Sequence, residues 1–188
     1  MSSILAHGLA AGTLIGAARL RRYEALGVLG FAILPDLDYA LRLAGLPYDA
    51  GVRISHSLFV VAAIWALVMP AALAAARALR LVFRPRAVWL CLVSGLGAVG
   101  LDWLIGSAWG DPVFWPFSAE THSSPFGILP SSPKPSMSNV HFWKNVTIEL
   151  LVFVPVFLMV GCRWRGVRAL ALIAPLALGL AWGISLPR

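Results

Sequence analysis

The residues 34–38, Leu34-Pro35-Asp36-Leu37-Asp38, place two carboxylates two positions apart directly after an apolar run. Two such acids repel unless a cation or a proton lies between them, so a bound divalent ion is one economical explanation. A solvated turn, with Asp38 capping a short helix over residues 39–44, is the other. Downstream, Arg53-Ile54-Ser55-His56-Ser57 opens a second apolar run with an imidazole and two hydroxyls. Ser55 is a candidate helix cap, and His56 a candidate metal ligand beside Asp36 and Asp38. Arg53 is suited to hold an anionic substrate group, because a guanidinium forks onto phosphate or carboxylate; snorkelling to lipid phosphate is its plainer role.

Asp102 interrupts an apolar segment that has no other charge nearby. At membrane depth a lone carboxylate costs about 2.5–3.5 kcal/mol, so it needs a partner: a metal ion, Arg53, a histidine, or its own proton. His7 opens the first apolar run, and Glu149 opens the fifth with Asn145 one helical turn before it. His122 and His141 fall in a long loop, from which either is able to close over a site. Nucleotide-binding loops, serine-hydrolase elbows, HExxH and paired CxxC motifs are absent, which leaves metal-assisted hydrolysis among the hydrolytic chemistries. In that reading Asp36, Glu149 and Arg53 are the catalytic candidates, and His7, Asp36, Asp38, His56, Asp102 and His122 the ligands of one or two divalent ions. Zinc heads the choice of ion, with magnesium and manganese as alternatives.

These residues need a scaffold, and the composition says which kind. Of 188 residues 60% are hydrophobic and 12% charged, about half the charged share of a soluble domain. Six apolar segments follow one another, at residues 4–18, 25–34, 58–76, 88–109, 146–162 and 167–184. The chain is therefore expected to be all-α, a single polytopic membrane helix bundle over residues 1–188 with about four to six apolar helices. The first two segments fall short of the ~20 residues a span requires, so tilting, half-insertion or an intramembrane hairpin is expected there. Gly8, Gly12 and Gly16 give the first helix a smooth packing face. A cleaved leader is not expected, because no basic residue precedes the first apolar run.

Arginines cluster after the first, third and fifth segments: Arg19, Arg21 and Arg22; Arg77, Arg80, Arg84 and Arg86; Arg163, Arg165 and Arg168. By the positive-inside rule, six crossings put all three loops in the cytoplasm and both termini on the far side. Four histidines and seven of the eight carboxylates, all but Glu24, then share the non-cytoplasmic face. The long loop over residues 110–145, rich in Pro, Ser and aromatics, lies there too, and a loop of that length is more often a lid or binding element than idle chain. The net charge of +7 is placed to meet lipid phosphates, so membrane lipids are the expected partners and direct nucleic-acid binding is not expected. Cys91 and Cys162 suggest neither a disulfide nor a zinc knuckle.

The order of an early His-Gly, PDLD, Arg-x-x-His-Ser, a late helical Asp and Trp115-Pro116-Phe117-Ser118 resembles a membrane-bound family described as LexA-binding, inner-membrane-associated metal-dependent hydrolases. The match covers about residues 7–118. It implies a multi-pass inner-membrane protein whose metal site uses His7, Asp36, Asp38, His56 and Asp102. A more distant likeness is to zinc-dependent phospholipase C and single-strand nucleases, helical enzymes in which a histidine stands one turn before an Asp or Glu ligand. Here those positions are Ala98 and Asn145, so fewer imidazoles are on offer. The function that follows is hydrolysis of an ester or phosphoester in a lipid or lipid-linked substrate. A non-catalytic membrane metal-binding or interaction protein, and a transporter with an intramembrane Asp/His site, are the two alternatives; the protein partner of such an interaction protein is not specified by the sequence.

Overall fold

The computed structural model describes residues 4–38, 53–105, 110–125 and 138–185. Asp49, the expected helix over 39–44, Trp109, Phe126 and residues 131–136 lie outside them. Every element is helical: α1 (Ile4–Ala18), α2 (Arg22–Ile33) running into a 3-10 turn (Leu34–Asp36), a second 3-10 turn (Ile54–His56), α3 (Leu58–Ala78), α4 (Pro85–Ile105), α5 (Val140–Val156) continued by a π turn (Phe157–Gly161), and α6 (Val167–Ser185). Among the described residues there is no strand.

Four of these are long and apolar enough to cross a bilayer: Leu58–Ala78, Pro85–Leu104, Val140–Gly161 and Val167–Ser185, of 21, 20, 22 and 19 residues. At 1.5 Å per residue each reaches about 28–33 Å, the thickness of the hydrocarbon layer. Helices α1 and α2, with 15 and 12 residues, reach only about 22 and 18 Å. They form an antiparallel pair packed on α4, and α1 also meets α5. One buried core lies where α2, α3 and α4 meet, around Val28, Phe31, Val61 and Cys91, and a second where α1 meets α5, around Ala6, Ile148, Val152 and Phe153.

Two of the three glycines on α1 meet the π turn. A Cβ on Gly16 would lie 2.3 Å from the Gly161 carbonyl oxygen, so only glycine allows this backbone approach, and Gly12 abuts the Phe157 ring. Gly8 touches nothing there. Arg19, Arg80 and Arg163 adopt φ of 49°, 56° and 58° just past the ends of α1, α3 and the π turn, the left-handed position glycine usually fills.

Two helix starts differ from expectation. The cap of α3 is Ser57, whose Oγ accepts the Phe59 N–H at 3.2 Å, and Ser55 is one position inside the preceding turn. Helix α5 begins at Val140, capped by Asn139, whose side chain accepts the His141 N–H at 3.0 Å. Its polar first turns hide it from a hydropathy reading, so the long loop ends earlier than residue 145. His141 is accordingly an exposed first-turn helical residue, and Glu149 sits nine residues into the helix, beyond reach of its N-terminal dipole.

Candidate metal centre

Pro35 cannot donate a backbone hydrogen bond, and the chain tightens at the end of α2 into the Leu34–Asp36 turn. That turn swings Asp36 inward until it is buried. The turn over Ile54–His56 packs against it and leaves His56 with no exposed surface. Asp102, in the last turn of α4, is also fully buried, and His7 in the first turn of α1 nearly so. His7 opens α1 and Asp36 ends the turn after α2, so the antiparallel pair presents both at the end where Asp102 lies.

The side chains converge. His7 Nε2 lies 3.4 Å from Asp102 Oδ2 and 3.6 Å from Asp36 Oδ2, and ligand atoms of these three residues all fall within 4.8 Å of one another. Zinc bonds of ~2.0–2.1 Å in a tetrahedral shell put neighbouring ligand atoms about 3.4 Å apart. The donor set fits a divalent ion on that spacing. It fits as well on Asp36, neither of whose oxygens meets a hydrogen-bond donor among the described residues although both are buried. Leaving a buried carboxylate charged in that state is costly, and a cation or a proton relieves it.

The other expected ligands stand around this trio. His56 Nε2 is 3.1 Å from Asp102 Oδ2, and its Nδ1 is 3.2 Å from Ser55 Oγ, an orienting contact of the kind that fixes metal-site imidazoles. Asp38 is buried but turned to Arg53, which donates from Nε to its Oδ2 at 2.7 Å; the same guanidinium comes within 3.9 Å of Asp36 Oδ1. Arg53 thus supplies part of the cation that the paired carboxylates require. Glu149 is buried at the α1–α5 contact, and its charge acts on His7. His122 is half-buried with its ring edge-on to Phe114, centroids 5.2 Å apart, and does not belong to the trio.

One carboxylate gained importance only in three dimensions. Asp111 is 3% exposed and exchanges two backbone hydrogen bonds with His122, at 3.0 and 2.9 Å, so residues 111–122 close on themselves as a compact loop. The loop is pinned beside His56: Leu58 donates to the Val113 carbonyl at 3.0 Å, and the Ser57 hydroxyl donates to the Trp115 carbonyl. The His-Ser and Trp-Pro-Phe-Ser motifs are therefore bonded to each other. Burial pushes the Asp111 carboxyl above its ordinary value against the pull of His56 and Arg53, and burial does the same to Asp36 against His7, His56 and Arg53. The sequence signal was Gly110-Asp111-Pro112, a turn whose glycine has φ of +66° and whose absent Cβ would press on Thr121.

Comparison with curated proteins and with solved structures returns no match. A family model does match, that of the YdjM inner membrane protein, over residues 1–186. Essentially the whole chain is covered, and the helices that model spans include the four of bilayer length: the chain belongs to the YdjM inner membrane protein family.

Proposed function

We propose that the chain is a membrane-embedded, metal-dependent hydrolase acting on an ester or phosphoester of a lipid or lipid-linked substrate. The observation that carries this reading is the spacing of His7, Asp36 and Asp102. A divalent ion held by them, zinc on the donor set, would polarise the scissile group and acidify water. With Asp36 engaged as a ligand, Glu149 takes the general-base role, being buried and electrostatically in touch with His7. Arg53, oriented by Asp38, offers its cation to an anionic substrate group. His56 positions Asp102. The arginine-rich loops at the opposite end support a non-cytoplasmic centre.

The test is turnover of a phospholipid panel by the purified protein in nanodiscs. Hydrolysis that chelator abolishes, zinc restores and Asp102→Asn removes is the expected result. Chelator-insensitive turnover, or full turnover by Asp102→Asn, overturns the assignment. A second reading, a non-catalytic metal-binding or interaction protein, draws on Ala98 and Asn145: neither offers an imidazole, and one three-residue group forms among the described residues. Metal binding without turnover of any member of the panel is its signature.

A further inference from the structure

A cavity of about 340 Å³ runs beside the metal centre between α1, α4 and α5, with His7 on its wall. Its walls are otherwise nearly all apolar or small, among them Ala11 and Leu14 of α1, Gly97 and Ala98 of α4, and Phe153 of α5. Residues 7, 10, 11 and 14 form one stripe of α1 and residues 93, 94, 97, 98 and 101 one stripe of α4. The cavity is therefore elongated along the helix axes, for about 10–12 Å at 1.5 Å per residue. Val93 and Gly97 on its rim are exposed, so it opens sideways through the surface the spanning helices present to lipid.

Its elongated shape and apolar walls decide the kind of occupant. An unbranched chain of about ten methylene-sized groups fits, at ~30 Å³ for each water-sized unit. Ala98 is instructive because it stands one turn before Asp102. A ligating side chain at that position would fill the cavity; alanine keeps it open.

We propose that this groove receives one acyl chain of a phospholipid, admitted laterally from the bilayer, whose phosphate ester then lies at the His7–Asp36–Asp102 centre; the second half of this statement rests on the hydrolase reading. The charges agree with the placement, since His7 marks one end of the groove and Asp36, Asp102 and the Arg53 guanidinium stand beyond it, while the other end lies against alanine, leucine and phenylalanine. Gly97 acts as the gauge of the groove: a Cβ built on it meets nothing within 4 Å, so a larger side chain occupies the space without displacing a neighbour.

The experiment uses the full chain in phosphatidylglycerol/phosphatidylethanolamine nanodiscs containing a phospholipid with a diazirine in one acyl chain, and maps the labelled residues by mass spectrometry. Label concentrated on residues 9–14 and 93–101 is expected, falling about tenfold or more in Gly97→Leu, the scale on which apolar pockets respond to lost room. Gly30→Leu is the matched control, because Gly30 is exposed and equally unobstructed; its label is expected to equal that of the parent. Label spread evenly over α3 and α6, or unchanged by Gly97→Leu, overturns the groove. A parallel arm compares zinc-loaded turnover of a long-chain and a water-soluble dibutyryl phospholipid, with Gly97→Leu slowing only the first. Groove label with no turnover of either lipid keeps the groove and removes the hydrolase. Turnover with no groove label does the reverse.

Discussion

Glu24 and Asp102 are both carboxylates with no exposed surface in apolar helical surroundings, and they are satisfied in opposite ways. Glu24 accepts the Arg84 guanidinium at both oxygens and the backbone N–H groups of Arg21 and Arg84, each at 2.9 Å. Arg84 in turn reaches the Arg19 carbonyl at 2.9 Å, so the cluster ties the ends of α1 and α2 to the start of α4. Asp102 faces two imidazoles, and a second carboxylate stands beside one of them. Antiparallel packing separates the two clusters by about 18 Å along α1 and α2. The arginine end is closed by donors from its own chain. The histidine end gathers three groups able to ligate a metal, with ligand atoms within 4.8 Å of one another.

The sharpest way to break this contrast is to remove a ligand. His7→Ala is expected to lower zinc affinity more than about a hundredfold, beyond what loss of an outer-shell partner costs, read by calorimetric titration. In the parent, zinc at about a hundred times its dissociation constant raises stability by about 2.7 kcal/mol, and His7→Ala abolishes that gain while Glu24→Ala retains it. Equal zinc stabilisation of parent and His7→Ala would show that the two ends do not differ in this respect.

Next in size is Glu24→Ala, which strands two backbone donors and is expected to cost about 1–3 kcal/mol in thermal unfolding without changing metal stoichiometry. Arg84 holds the Glu24 carboxyl at about 2, down from 4.5. A depressed carboxylate contributes fully above its ordinary value and loses that contribution as pH falls from about 4.5 toward 2. The parent should therefore lose stability across that window, and Glu24→Ala should lack this component. The smallest effect belongs to Arg80→Gly, which relieves a left-handed residue at the arginine end and is expected to stabilise by about 1 kcal/mol or less, with metal binding unchanged. A marked loss of stability there would mean that the Arg80 side chain, and not its backbone position, maintains the end of α3.

Much of the scaffold was legible along the chain. All six apolar segments became helices, since a helix with no polar face to offer is read from hydropathy alone. Asp102 stood out because a single charge in such a segment needs a partner, and PDLD because two acids two positions apart repel unless a cation or a proton intervenes. Harder to read were elements whose signal is not hydropathy, such as the polar first turns of α5, and the choice between Ser55 and Ser57 as cap, which depends on where a 3-10 turn ends.

What can be read along the chain is a lipid-embedded helical protein with most of its arginines at one set of helix ends and its histidines and most of its acids at the other. Composition and periodicity suffice for that, because they act locally on each segment. Which of those acids meet depended on how the helices pack: packing set Asp36 with His7 and Asp102, gave Asp38 to Arg53, and brought Asp111 from the loop to a place beside His56. Residues 29, 66 and 95 positions apart come within 5 Å through helix length and crossing, and neither quantity is written in any short stretch of the chain.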